Sequence, residues 1–157
     1  MNESAGRRQR EILQAKPFPS RRQEAVLGLL KTADLLRREI GKVLAPQGVT
    51  NQQYNVLRIL RGAGPEGLPT LEVARRMIED APGITRFMDR LEGQGLLSRE
   101  RDSKDRRQVF CFITEKGLEL LESLDEPVTR WNEKSLEKLS EEEVGELISL
   151  LDRARER

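Results

Sequence analysis

The stretch DAPGITRFMDRLEGQGLLSRERDSKDRRQVFCFIT, residues 80–114, predicts one helix followed by two strands that are joined at a charged tip. Four apolar residues in its first part recur at the spacing that places side chains on one face of a helix. They are Ile84, Phe87, Met88 and Leu91. Gly93 and Gly95 predict the end of this helix, because glycine readily adopts the left-handed conformation that a helix C-terminus commonly requires. The opposite face of the predicted helix is polar and carries Thr85, Arg86, Asp89 and Arg90.

The second part of the stretch predicts a β-hairpin. Leu96 and Leu97 return the chain to the core, and both alternating faces are apolar from Val109 to Ile113, which is typical of a buried strand. Residues 99–107 contain five basic side chains among nine residues and are too polar to bury. We therefore expect residues 99–107 to form a solvated hairpin tip.

A polar-faced helix beside a basic hairpin is the layout of a winged helix-turn-helix, in which the helix enters the major groove and the hairpin lies along the backbone or minor groove. The chain resembles the MarR family of bacterial transcription regulators in five short segments. These are TR at 85–86, DRLE at 89–92, GL at 95–96, DSKDRR at 102–107 and ITEKG at 113–117. The resemblance implies a mainly α fold (α+β), a winged helix-turn-helix with N- and C-terminal dimerisation helices.

Length and charge fit a single domain with an uneven charge distribution. A chain of 157 residues can bury a core of its own, and its 35% charged residues predict several amphipathic, exposed helices. The formal net charge of +1 argues by itself against a nucleic-acid binder. Residues 1–22 nevertheless hold six Lys or Arg against two acids, whereas residues 115–157 hold seven against thirteen. Basic charge is thus displaced toward the N-terminus and the hairpin.

Several function classes are disfavoured by the residues present. The chain has no histidine, and no paired acid motif, glycine-rich phosphate loop or nucleophile elbow is found in it. We therefore expect no enzymatic activity, no cofactor and no metal site. The single cysteine, Cys111, lies in an apolar strand, so we assign it a structural role; oxidant sensing, known in some members of the family, is the alternative. No signal peptide or membrane span is predicted, and a cytoplasmic location fits best.

The chain is predicted to consist of four segments. These are a flexible N-terminal arm at 1–19, a dimerisation helix at 20–48, the winged helix-turn-helix at 49–114 and C-terminal dimerisation helices at 115–157. The resemblance implies that the first and last helices interlock two subunits, and packing within one chain is the alternative for the first. For the arginines of the arm, a solvated tail and DNA contact are both open.

Local signals set the expected helix boundaries. Thr50 with Gln53 and Ser140 with Glu143 have the spacing of a capping box, and Pro127 is expected to kink or interrupt the helix that follows Thr114. A short helix is also predicted to begin at Thr70. Its predicted inward residues are Leu71, Ala74 and Met77. For the helix of residues 80–93, the predicted cap is Asp80, with Pro82 in the first turn.

The resemblance places DNA contacts on the polar helix face and on the hairpin. The candidate DNA-binding residues are Thr85, Arg86 and Arg90 on the helix and Lys104, Arg106 and Arg107 on the hairpin. A guanidinium there can pair with guanine edges or bind phosphates. The alternatives are pairing of the helix arginines with surface acids and a hairpin that is only solvated. Asp105 is expected to shape the turn or hold an arginine.

The predicted function is that of a sequence-specific transcription regulator, a repressor that binds an inverted-repeat operator in double-stranded DNA as a homodimer. The resemblance further implies a small phenolic or anionic effector between the dimer helices and the DNA-binding lobe. Arg37 and Tyr54 are the candidate ligand-binding residues, and packing or surface positions are their alternative roles. A winged-helix protein-interaction module without sequence-specific DNA binding is the alternative function.

Overall fold

The computed structural model describes residues 18–79, 82–103 and 105–156. Residues 1–17 of the predicted arm, the predicted cap Asp80 and the candidate contact Lys104 lie outside the described residues. The chain forms two compact units, residues 1–39 and residues 40–157. The second unit contains the whole stretch from which the fold was predicted.

The described residues form six α-helices and one small sheet. The helices are α1 (Arg21–Leu44), α2 (Asn51–Ala63), α3 (Thr70–Arg76), α4 (Ile84–Gly93), α5 (Glu115–Ser135) and α6 (Glu141–Arg155). The strands are β1 (Leu68–Pro69), β2 (Leu97–Arg101) and β3 (Val109–Ile113). The sheet is antiparallel with the order β1-β3-β2, so β3 lies in the centre. This arrangement confirms the predicted mainly α fold with a winged helix-turn-helix.

The helix starts follow the predicted capping residues. Thr50 and Gln53 form a capping box at the start of α2, and Ser140 and Glu143 form another at the start of α6. The hydroxyl of Thr114 accepts a hydrogen bond of 3.1 Å from the backbone N–H of Gly117 and caps α5. These local rules were confirmed because each depends on residues only three positions apart.

The core of the second unit lies between α2, α4, α5 and the sheet. Its fully buried side chains are Leu44, Val56, Leu57, Leu60, Val73, Met88, Leu91, Leu97, Cys111, Leu121 and Leu124. Burying one such aliphatic side chain contributes about 1.5–3 kcal/mol. The predicted buried strand is confirmed in full only at Cys111, because the other four residues of β3 are half-buried. The cluster therefore fixes the apolar side of α4 and leaves its other side to solvent.

The predicted inward face of α3 was partly wrong. Leu71 has 74% of its surface exposed, whereas Val73 is fully buried. The two residues are about 200° apart around a helix of 3.6 residues per turn, so they cannot both face the core. Ala74 and Met77 lie on the same side as Val73 and are half-buried. Contacts with α2, α4 and the sheet select the face that α3 buries.

The boundaries of α4 and of the hairpin tip also differ from prediction. Pro82 lies in a turn before α4. Gly83 is the N-cap, and its φ of 89° is a left-handed conformation, so the helix does not extend further toward the N-terminus. Strand β2 continues through Arg101, so Arg99 belongs to the sheet and not to the tip. We use the name wing tip for residues 102–108 from here on.

Pro127 does not interrupt α5, which runs from Glu115 to Ser135. Leu121 and Leu124 are buried before it, and Val128 packs against the core after it. Packing on both sides therefore outweighs the hydrogen bond that the proline cannot donate.

Candidate nucleic-acid interface

The exposed face of α4 carries the three helix residues predicted to contact DNA. Thr85, Arg86 and Arg90 are exposed, while Met88 and Leu91 on the other side are fully buried. Neither arginine forms an ion pair with another described residue. The two guanidinium groups thus project from one polar face a helical turn apart, and neither has an ion-pair partner among the described residues.

The C-terminal end of α4 is held by hydrogen bonds from the chain around it. The N–H of Gly95 donates to the carbonyl of Glu92 at 2.8 Å, and the N–H of Leu96 donates to the carbonyl of Leu91 at 2.9 Å. This pair of bonds is a Schellman motif, with Gly95 at a φ of 70°. The end of the helix is therefore fixed by the backbone itself.

The start of α5 contributes two further bonds to the same end. The hydroxyl of Thr114 donates to the carbonyl of Gly95 at 2.7 Å, and Nζ of Lys116 donates to the carbonyl of Gln94 at 2.8 Å. A cation at a helix C-terminus also interacts favourably with the helix dipole. The long helix α5 and helix α4 are consequently joined directly at this corner.

Arg99 of β2 contacts both acidic side chains of α4. Its Nη2 lies 2.7 Å from Oδ1 of Asp89 and 2.5 Å from Oε2 of Glu92, and its Nε donates to the same Glu92 oxygen at 3.0 Å. Only 22% of the Arg99 side chain is exposed. The hydrogen bond to Glu92 raises the pKa of the Arg99 guanidinium above its ordinary value. Asp89, the acid three positions after Arg86 on the helix, is thereby occupied by a strand residue.

The wing tip is shaped by Asp105. Its Oδ1 accepts hydrogen bonds from the backbone N–H of Arg107 at 3.1 Å and from Nε of the same residue at 3.3 Å. The backbone bond from Arg107, followed by its side-chain bond, lowers the pKa of the Asp105 carboxyl. Asp105 therefore shapes the turn and also holds Arg107, the two roles that the sequence left open for it.

The two wing arginines are placed differently from each other. The Arg107 side chain is 93% exposed although it contacts Asp105. Arg106 is also exposed and forms no ion pair with another residue of the described part of the chain. Both side chains can therefore reach a neighbouring phosphate. Arg106 can do so without breaking an ion pair with another described residue.

The two candidate ligand-binding residues belong to different units. Arg37 lies in the unit of residues 1–39, and Tyr54 lies in the unit of residues 40–157. Tyr54 is 8% exposed, and the guanidinium carbon of Arg58 lies 5.8 Å from its ring centre. Burial raises the pKa of the Tyr54 hydroxyl, so this group is protonated at neutral pH and can donate a hydrogen bond. A ligand role for either residue stays a prediction.

Cys111 is placed as its structural role requires. It is fully buried on the central strand, and its Sγ lies 3.4 Å from Oγ1 of Thr70. Burial raises the pKa of the thiol above its ordinary value. Because the thiolate is the reactive form, burial and the raised pKa both slow the reaction of Cys111 with reagents dissolved in water.

We expect a disulfide reagent such as Ellman's reagent to modify Cys111 at least about 100-fold more slowly in the native protein than in the guanidinium-unfolded chain at pH 7.5. The absorbance of the released thionitrobenzoate measures both rates. Modification at the same rate in both states would contradict the structural role and return oxidant sensing to consideration.

Sequence reasoning missed Arg99 as a residue of this interface. The signal was present in the alternation of β2, where Arg99 stands two positions after Leu97 and therefore on the same side of the strand. Leu97 is buried, with 2% exposure, so partial burial of Arg99 beside α4 follows. Placing residue 99 in the hairpin tip concealed this relation. Lys116, which contacts the C-terminus of α4, had no comparable local signal.

Two further searches cover the described residues only. Within them, no group of three or more Cys, Asp or Glu side chains is arranged to hold a metal ion. No helix in that part of the chain is both long and apolar enough to cross a membrane.

The α4 face, the wing and the three-stranded sheet define a winged helix-turn-helix protein. Residues 49–109 match the model of the MarR family. The crystal structure of a MarR transcription factor from Planctomyces limnophilus is 41% identical, with a TM-score of 0.68, over 86% of this chain and 98% of that one. The chain belongs to the MarR family. It is a DNA-binding transcription regulator and not an enzyme.

Two other relatives are similar over most of their length. The HTH-type transcriptional regulator FarR of Neisseria gonorrhoeae is 28% identical over 135 residues, which are 86% of this chain and 91% of FarR. A mutant MarR from E. coli, solved in complex with operator DNA, is 25% identical with a TM-score of 0.76. The match covers 85% of this chain and 96% of that chain. The similarity therefore extends beyond the segment that the family model matches.

Proposed function

We propose that this protein is a homodimeric repressor that binds an inverted-repeat operator through α4 and the wing. The observation that carries the proposal is the exposed face of α4, where Arg86 and Arg90 have no ion pair with another described residue while Arg99 occupies the nearby acids. Binding of operator DNA by the E. coli relative supports it. In this proposal residues 49–114 bind DNA, and residues 20–48 and 115–157 join the two subunits.

A two-fold dimer relates two copies of α4. For helix-turn-helix dimers, recognition helices enter successive major grooves about 34–36 Å apart, which is one turn of DNA. Thr85, Arg86 and Arg90 are assigned to the major groove, because their donors suit guanine edges and phosphate oxygens. Lys104, Arg106 and Arg107 are assigned to phosphates or the minor groove beside it.

The wing assignment predicts a change in salt dependence. We expect Arg106→Ala with Arg107→Ala to reduce the magnitude of the slope of log K against log salt by about 1.8 per wing, since each lost phosphate contact removes about 0.9. Fluorescence anisotropy with an operator duplex at four salt concentrations measures the slope. Glu141→Gln with Glu142→Gln, which alters two exposed charges on α6, is the control. An unchanged slope in the arginine double variant would remove the wing from the interface and favour the protein-interaction alternative.

The dimer proposal is supported by apolar surface on α6. None of its residues is buried, and Ile148, on the apolar face of this amphipathic helix, is 56% exposed. Val144, Leu147 and Leu151 on the same face are half-buried. Exposed apolar side chains grouped along one helix are typical of a surface that a partner covers.

We expect Ile148→Asp to convert the dimer into a monomer at micromolar concentration, because a charge would be buried without a partner. Sedimentation equilibrium measures the molar mass of both proteins. Glu146→Asp, two positions away on an exposed residue, is the control and should remain dimeric. A dimer of unchanged stability in Ile148→Asp would place the interface elsewhere.

We further propose that a small phenolic or anionic effector releases the operator. Such release requires that the ligand bind one arrangement of the dimer more tightly than the other. Tyr54 offers a protonated hydroxyl, and Arg37 offers a cation, which are the groups that such a ligand needs. A screen of aromatic carboxylates and phenols for dissociation of the operator complex tests this part. If no compound acts at millimolar concentration, the regulator works without this class of effector.

A further inference from the structure

We propose that Arg99 is a positioning residue of the DNA-binding surface: by pairing with Asp89 and Glu92 it keeps Asp89 away from Arg86 and fixes α4 to the wing. The inference rests on the proposed function, since it assumes that Arg86 contacts DNA. Arg99 itself is largely covered and need not reach the nucleic acid.

The first argument comes from spacing on the helix. Asp89 follows Arg86 by three residues, a separation at which side chains are neighbours on a helix surface and form ion pairs. Glu92 follows Arg90 by only two residues, and side chains at that separation do not face each other. Among the acids of α4, Asp89 is therefore the one that could pair with Arg86. It is paired with Arg99 instead, at 2.7 Å.

The second argument is that Arg99 is the stronger competitor for Asp89. Its guanidinium contacts two carboxylates at once, and only 22% of its side chain is exposed, so its ion pairs are screened less than a pair on the open helix surface. Arg86 would lose side-chain freedom to form one exposed pair that is worth little. The arrangement leaves the Arg86 guanidinium available to an external acceptor.

The third argument concerns the phosphates. Asp89 and Glu92 lie on the last turns of α4, and two uncompensated carboxylates there would repel the DNA backbone. Arg99 places a positive charge within hydrogen-bonding distance of both. Because β2 leads from Arg99 directly to the wing tip, the same contacts also tie the recognition helix to the wing. One residue thus adjusts both the charge and the relative position of the two DNA-contacting elements.

The test compares Arg99→Gln with Arg99→Gln combined with Asp89→Asn, using the full chain and the duplex that it enriches from a random pool. We expect Arg99→Gln to weaken operator binding about 10-fold or more, because Asp89 is released to pair with Arg86. Adding Asp89→Asn should restore at least about half of that loss on a logarithmic scale, since the competing carboxylate is gone. A loss that the second substitution does not restore would overturn the proposal, as would undiminished binding by Arg99→Gln.

Two controls separate this proposal from its alternatives. Arg130→Gln removes one positive charge from an exposed pair with Glu126, and it should bind the operator like the wild type. Asp89→Asn alone should also bind within about 3-fold of the wild type, and it keeps the proposal testable if Arg99→Gln does not fold. Strong loss in Asp89→Asn would show that the carboxylate itself is needed for binding and overturn the proposal.

Arg86→Ala distinguishes the failure of this inference from the failure of the proposed function. If Arg86→Ala weakens binding and Arg99→Gln does not, Arg86 contacts DNA and the role of Arg99 is wrong. If Arg86→Ala binds like the wild type, the proposed contact is wrong, and the inference fails with it.

Discussion

Gly117→Ala is expected to lower the free energy of unfolding by about 3 kcal/mol, the upper end of the range for overpacking a closely packed site. A Cβ atom at this position would lie 2.3 Å from the carbonyl oxygen of Leu96 and 2.8 Å from Cγ1 of Ile113. The oxygen belongs to the backbone just after α4, so it cannot move aside as a flexible side chain would. The first turn of α5 would have to move away from the end of the recognition helix.

Chemical denaturation by urea measures this difference, and Gly145→Ala is the matched control. Both glycines lie inside helices, but a Cβ at Gly145 would meet no atom within 4 Å. Alanine is favoured over glycine by about 1 kcal/mol in an exposed helix interior, so Gly145→Ala should be neutral or stabilising. A loss of less than about 0.5 kcal/mol in Gly117→Ala would contradict the close packing of α5 against the end of α4.

Arg86→Ala is expected to weaken operator binding about 10- to 100-fold, the range for losing one bidentate contact to a base. We expect this loss because the Arg86 guanidinium is exposed and has no ion pair with another described residue. It also lies on the face opposite the buried Met88 and Leu91. The loss should also relax selectivity at one base position in each half-site. Removal of a wing arginine should instead weaken binding to all sequences alike.

Anisotropy titrations with a set of duplexes, each carrying one base change, measure both the affinity and the selectivity. Arg130→Ala removes the same type of side chain from α5 and should leave the affinity for every duplex unchanged. Equal weakening on all duplexes would mean that Arg86 binds phosphate, and undiminished binding would remove Arg86 from the proposed contacts.

Features that depend on neighbouring residues were predictable from the sequence. Both capping boxes, the apolar face of α4 and the span of β3 follow from spacings of two to seven residues, and the structure contains each of them. The α4 start was misplaced because Gly83 adopts a φ of 89°, which a side-chain pattern does not reveal. A turn conformation of this kind is set by the backbone and not by periodicity.

Features that depend on distant partners were not predictable in the same way. Leu71 matched the helical pattern of α3 but is exposed, since the packing of α3 on α2 and α4 selects Val73. Arg99 is separated from Asp89 by ten positions, and their ion pair exists because β2 folds back beside α4. The exposed arginines of the candidate site could be predicted from local polarity, whereas the ion pairs that leave them available could not.

The most direct test of the central claim is selection of bound duplexes from a random DNA pool by the purified full-length protein, with the affinity for the enriched duplex measured at two salt concentrations. A dimeric winged helix-turn-helix regulator predicts an enriched inverted repeat with half-site centres about 10–10.5 base pairs apart and binding that weakens steeply as salt rises. Absence of any enriched sequence, with binding that disappears at about 0.15 M salt, would contradict sequence-specific operator binding by this chain.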